Sequence, residues 1–247
     1  MSEPSKACCT IPPIIPKDYH PKGTYTTIAG LKTYHTSPPS PTATILFIYD
    51  IFGYFPQTLQ GADILASAGN FAVYMPDWFE DDPADISWYP PDTPEKGAKV
   101  KAFFAGKANP GATVARAGAW VEEVRSRAGA DAGTWGVVGL CWGGKVVSLL
   151  STPSYPFSFA ATAHPAMVDP ADATAISVPF MMLASKDEDP VAVSGFAENL
   201  KVEKSVETFG DQVHGWMGAR GDLEDGRCRG EYERGYRSVT EFFLKFV

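Results

Sequence analysis

Two rhythms of apolar and polar residues alternate along the chain. Thr24 to Ala29 and Leu31 to Thr36 read as two strands turning at Gly30, which predicts a hairpin. Ala43 to Tyr49 is a continuous apolar run closed by Asp50, the pattern of a central strand buried on both faces. Gln57 to Ala68 carries Leu59, Ile64 and Leu65 at helical spacing and stops before Gly69-Asn70. Phe71 to Met75 is a second buried strand, ended by Pro76. Asp77 to Pro94 is the longest irregular region, rich in Asp, Pro and aromatics. Beyond it the alternation resumes. Thr113 to Ala128 is an amphipathic helix, Trp135 to Gly139 a strand, and Gly143 to Leu150 a helix. Phe159 to Ala163 and Phe180 to Ser185 are strands, Val191 to Val202 a helix, and Val206 to Phe209 a last strand. Tyr232 to Phe246 closes the chain as an amphipathic helix.

Strands alternating with helices predict an α/β fold, a mostly parallel central sheet with helices on both faces. Residues 1–23, which include the Pro-containing stretch Ser2 to Pro21, read as an irregular N-terminal arm, and residues 24–247 as one domain. Composition fits that size: 247 residues, 45% of them hydrophobic and 20% charged, suffice for one full core and exclude a disordered or collagenous chain. The formal charge of −8 disfavours nucleic acid and anionic membrane surfaces as partners. No apolar stretch reaches the roughly 20 residues of a bilayer span, and the start lacks a basic-then-apolar signal pattern. The expected setting is cytoplasmic, where cysteines stay mostly reduced. Of the four cysteines, Cys8 and Cys9 sit in the arm with no metal-ligand spacing around them, and Cys228 lies between Arg227 and Arg229.

Cys141 differs. Gly139-Leu140-Cys141-Trp142-Gly143-Gly144 follows a strand and opens a helix, the context of a nucleophile elbow of the form G-x-[Ser or Cys]-x-G. Glycines let the chain turn tightly there, and a helix N-terminus favours a thiolate. A cysteine nucleophile needs a base. His20 and His35 precede the sheet core. His164 ends a strand and could line a cleft, although a structural role also suits it. His214 lies in a loop after the last strand, where α/β-hydrolases place the catalytic histidine in the chain order nucleophile, acid, histidine. Asp187, directly after the strand Phe180 to Ser185, completes that order, with Glu188 and Asp189 as adjacent alternatives. An oxyanion hole would combine the backbone N–H of Trp142 with that of Ile51, after the first buried strand.

These residues together resemble the dienelactone hydrolase (carboxymethylenebutenolidase) family. The match runs through Tyr49-Asp50-Ile51-Phe52-Gly53, Met75-Pro76-Asp77-Trp78-Phe79, the Cys141 elbow, Asp187 and His214-Gly215-Trp216. It covers about residue 24 to 247, and Cys8-Cys9-Thr10-Ile11-Pro12-Pro13 is similar to the fungal-type branch. The resemblance implies an α/β-hydrolase fold. It also implies a cysteine hydrolase of lactones or activated esters that works through a thioester without metal or organic cofactor. In the family an acidic residue interacts with the thiol, a place that Asp50 occupies here with one methylene fewer. The bacterial members bind a substrate carboxylate with two arginines. Here Pro76-Asp77-Trp78-Phe79-Glu80-Asp81 holds no arginine, and Arg220 follows His214 two positions later than the bacterial spacing.

Tyr54, Trp78, Phe79, Trp88 and Trp216 are the aromatics expected to shape a substrate pocket, with Arg220 either binding an anionic group or forming a surface salt bridge. Two competing readings remain at this level. One is a hydrolase or cyclase-assisting enzyme acting on a polyketide-type lactone or thioester. The other is a non-catalytic binding protein that kept the fold. A nucleotide-binding role lacks its glycine motifs.

Overall fold

A computed structural model describes residues 14, 19–128 and 133–247. Cys8, Cys9 and most of the expected arm lie outside the described residues.

Among the described residues, eight strands form one sheet: β1 (Thr24–Ile28), β2 (Leu31–Thr36), β3 (Ala43–Ile48), β4 (Phe71–Pro76), β5 (Thr134–Leu140), β6 (Phe159–Ala163), β7 (Phe180–Ser185) and β8 (Lys204–Phe209). Their spatial order is β1-β2-β4-β3-β5-β6-β7-β8. The β1–β2 hairpin and the β2–β4 pair are antiparallel, and every pair from β4 through β3 to β8 is parallel. Among the described residues, six α-helices connect or flank the strands: α1 (Pro56–Gly69), α2 (Pro94–Ala105), α3 (Pro110–Ala128), α4 (Trp142–Leu150), α5 (Pro190–Asn199) and α6 (Gly226–Phe243). Helices α1 and α6 pack together against the sheet, as do α3 and α4. Strands β6 and β7 are buried at every position, which requires cover on both faces, as their unbroken apolar runs predict. The expected α/β-hydrolase architecture is the observed one.

Local chemistry sets the helix ends. Pro56 opens α1, and Asn70 closes it in the left-handed conformation (φ 58°). In α2, unanticipated from the sequence, the Thr93 side chain accepts from the Lys96 N–H and Pro94 takes the first turn. The capping pair is legible, but the mixed interior (PEKGAKVKAFFA) hides the helical period. Helix α6 begins six residues earlier than expected because Asp225 caps it, accepting from the Cys228 N–H at 2.7 Å.

Strand register lines up the chemistry. Ile48 pairs with Gly139, Leu140 with Ala163, Ala163 with Leu183, and Ser185 with Phe209. The residues just beyond these pairs are Asp50, Cys141, His164, Glu188 and the His214 loop. All emerge at the carboxyl edge of the parallel strands, where open α/β sheets carry their sites.

Candidate active site

Cys141 occupies a backbone conformation that L-residues avoid, with φ 53° and ψ −114°, at the start of α4. Such a conformation costs on the order of 1–3 kcal/mol and persists where surrounding packing enforces it. Here the enforcement is visible. A Cβ on Gly139 would lie 2.2 Å from the Gly143 carbonyl oxygen, and one on Gly143 would lie 2.3 Å from the Ile48 oxygen. Both glycines are therefore needed for the backbone to close upon itself and upon the end of β3. The Cys141 N–H donates to the Ala163 carbonyl (3.1 Å), and its own carbonyl accepts from the Ala166 N–H (2.9 Å). Gly143 thus closely approaches the Ile48 and Tyr49 carbonyls, and the Trp142 ring lies 6.5 Å from that of Tyr49. As the first residue of α4, Trp142 has no preceding helical turn to receive its backbone N–H. Its indole Nε1 donates to the Ala108 carbonyl (2.8 Å), which fixes the ring.

His214 is fully buried. Its Nδ1 lies 2.6 Å from Glu188 Oε1. Ser185 holds that carboxylate in turn, its backbone N–H donating to Oε2 and its hydroxyl to Oε1 (3.1 Å). Asp187, the acid expected to orient the ring, places its Oδ2 on the backbone N–H of His214, which it accepts at 2.8 Å. Successive side chains in a short loop diverge, and the longer glutamate reaches the ring while the aspartate ties down the histidine's own backbone. His214 Nε2 is buried and has no nitrogen or oxygen partner among the described residues. The thiol of Cys141 acts on the ring from close by. Burial opposes a charge on His214, but Cys141 and Glu188 override it and push the imidazole pKa up to about 10.

Asp50 lies beside the thiol. Its Oδ1 accepts the Phe52 N–H (2.9 Å) and its Oδ2 the Ala219 N–H (3.0 Å), so one carboxylate ties the end of β3 to the loop after His214. Burial, followed by the charge of Cys141, pushes the Asp50 pKa up to about 6, against the pull of those hydrogen bonds and of Arg220. Ile51 is fully buried, and its carbonyl accepts from the Ala84 N–H (2.9 Å).

The structure divides the expected pocket aromatics. Phe79 packs 4.8 Å from Trp142, and buried Trp78 precedes it. Trp216 lies 6.4 Å from the His164 ring and stacks on Phe209. Tyr54 is engaged elsewhere, its hydroxyl donating toward the Met75 carbonyl (2.7 Å) between β2 and β4. Trp88 packs on Phe103, 6.0 Å away. Arg220 is not a surface residue. It is 2% exposed, with its guanidinium 5.2 Å from the Phe52 ring and 5.8 Å from that of Tyr89. Phe52 and Tyr89 pack edge to face at 5.2 Å. Neither is among the aromatics expected to shape the pocket, although Phe52 lies in the Tyr49–Gly53 segment that carries the family resemblance. His164 meets His214 ring to ring at 5.3 Å.

Residues 31–247 match the model of the Dienelactone hydrolase family. The chain belongs to the dienelactone hydrolase family. An uncharacterized AIM2 family protein of Schizosaccharomyces pombe is 37% identical over 224 residues, covering 88% of each chain. A carboxymethylenebutenolidase homolog of Mus musculus is 26% identical over 244 residues, covering 93% of this chain and 94% of its own. Among solved structures, a dienelactone hydrolase from Anabaena variabilis superposes with a TM-score of 0.67 at 13% identity, covering 91% of this chain and 97% of its own, which is a likeness of fold. As a member of the dienelactone hydrolase family, the protein is a hydrolase. Among the described residues, no helix is long and apolar enough to cross a membrane, and no three His, Cys, Asp or Glu side chains are grouped as a metal ion would need.

Proposed function

We propose that the protein is a cysteine-dependent hydrolase of lactones or activated esters, with Cys141 as nucleophile, His214 as base and acid, and Glu188 as the carboxylate that orients the imidazole. The observation that carries this reading is the 2.6 Å contact between Glu188 and His214 Nδ1. It fixes the tautomer and leaves Nε2 to serve the thiol at the strained elbow.

The Cys141 sulfur, ionised by proton transfer to His214, attacks the ester or lactone carbonyl. The backbone N–H groups of Ile51 and Trp142 receive the developing oxyanion. The tetrahedral intermediate collapses, the C–O bond breaks, and His214 returns its proton to the leaving oxygen. Water, deprotonated by His214, then attacks the thioester and releases the acid and the Cys141 sulfur. Asp187 holds His214 through its backbone. Asp50 sets the thiol's surroundings and anchors the Ala219 loop. Arg220 supplies a buried positive charge for an anionic group of the substrate, which the overall charge of −8 would otherwise repel. Trp78, Phe79 and Trp216 supply apolar walls. The setting is expected to be cytoplasmic, with a small molecule as partner.

A rapid-mix experiment with an activated aryl ester tests this. Intact-mass analysis should show wild-type protein carrying one acyl group, and Cys141→Ala should carry none and have no turnover. Undiminished hydrolysis by Cys141→Ala would overturn the assignment.

A further inference from the structure

His164 is a second, unused histidine at the reacting centre. It is fully buried, and neither ring nitrogen has a hydrogen-bond partner among the described residues. A buried polar group without a partner destabilises a fold, so its retention calls for a use. Its position is fixed from both sides. Its backbone N–H donates to the Leu183 carbonyl at 2.7 Å, and its φ of 37° places it in the left-handed region. Ala163 and Ala166, one residue before it and two after, both hydrogen-bond the Cys141 backbone. The ring stands edge-on to His214 at 5.3 Å. Burial, together with the charges of His214 and Arg220, holds its pKa well below that of a free histidine, so it stays neutral. A neutral imidazole offers one N–H donor and one lone pair. With the His214 ring against it and the positive charge of Arg220 acting on it, the group that best answers that donor is an oxygen with lone pairs.

We propose that His164 is a substrate-contacting, specificity-determining residue that hydrogen-bonds an oxygen substituent (hydroxyl, oxo or carboxylate) borne a few bonds from the reacting carbonyl. The preferred substrates are then oxygenated esters or lactones rather than plain alkyl esters. This rests on the hydrolase reading of Cys141. It adds a selectivity that the triad does not supply, because a site built to hydrogen-bond a substituent discriminates against analogues lacking it.

The test compares kcat/KM for phenyl propionate, phenyl lactate and monophenyl succinate in the wild type, His164→Phe and His164→Gln. Wild type should favour at least one oxygenated ester over the propionate. His164→Phe should lose that preference by about 10-fold or more while turning over the propionate within about 3-fold of wild type. His164→Gln, which keeps a donor and an acceptor, should restore part of it. Thermal unfolding of His164→Phe should be unchanged or raised, since an apolar ring removes two orphaned atoms. Equal losses on all three esters, or a preference that survives in His164→Phe, would overturn the inference and leave the hydrolase reading standing. A wild-type enzyme that hydrolyses none of the three would sink both. If His164→Phe does not fold, the comparison of His164→Gln with wild type decides: a selective loss supports the contact and a uniform one refutes it.

Discussion

Glu188 Oε1 sits 2.6 Å from the Nδ1 of His214, and the adjacent Asp187 accepts the backbone N–H of the same histidine. Two consecutive acids thus hold one residue by different handles. Glu188→Gln, which replaces the ring's charged partner while keeping its shape, should lower kcat by about 10³–10⁴-fold, the scale seen when a triad carboxylate is neutralised. Asp187→Asn keeps an acceptor for the backbone N–H and should cost no more than about 10-fold. Steady-state kinetics on an aryl ester read both. The reverse ranking would return the orienting role to Asp187.

The pairing of His214 with Cys141 has a signature in titration. With its pKa raised to about 10 in the folded state, against about 6.5 unfolded, His214 binds its proton more tightly when folded. Its contribution to stability is fully present below about pH 6.5 and is lost as pH rises toward 10. Cys141→Ala removes the largest of the opposing charges. NMR of the imidazole nitrogens should then find His214 titrating at lower pH than in wild type, and denaturant unfolding should fall less between pH 7 and 10. An unchanged histidine titration would remove Cys141 as the cause.

Asp50 has the same sign for a different reason. Its folded pKa of about 6 lies above the ordinary carboxylate value of 3.8, so the folded state holds that proton more firmly. Stability from this group is present below about pH 4 and declines as pH rises through 6. A pKa raised from 3.8 to about 6 corresponds to roughly 3 kcal/mol across that window. Asp50→Asn cannot titrate, and its stability profile between pH 4 and 6.5 should be flatter than wild type by an amount of this order, whatever its absolute stability. Parallel profiles would show that Asp50 titrates normally.

Cys141 and His214 are both fully buried, so a substrate reaches them only when covering side chains move. Phe52 and Tyr89, packed edge to face over Arg220, are the aromatic cover nearest that charge. Tyr89→Ala should speed alkylation of Cys141 by iodoacetamide several-fold at fixed pH. A rate equal to wild type would mean that access runs by another route.

The sequence was most readable where one physical demand dominated. The double-sided burial of Ala43–Ile48 and Phe180–Ser185 wrote itself as unbroken apolar runs, and the elbow as glycines that close backbone contact requires. The helix at Pro94–Ala105 was not readable in its interior, since few of its residues are buried and its apolar spacing is correspondingly weak. Within the site, chain order located a loop of three acids but could not say which one faces the imidazole. That depends on side-chain length and on Ser185, which grips Glu188. Arg220 was left open between surface and site, and only the packing of Phe52 and Tyr89 around it decides for burial.

Ile14 falls within the expected arm, yet it is hydrogen-bonded to the end of the molecule that carries the candidate site. Its N–H donates to the Ala219 carbonyl at 2.8 Å, and its carbonyl accepts from Gln57 Nε2 at 2.8 Å. Ala219 in turn donates to Asp50, and the same Gln57 amide also reaches the Gly221 carbonyl (3.0 Å). The loop that carries Arg220 is therefore bracketed by a residue from more than two hundred positions earlier in the chain. Removing Ile14 would cut one bond to that loop directly and a second to Gln57, which holds the loop at Gly221, so this residue braces the candidate site from far along the chain.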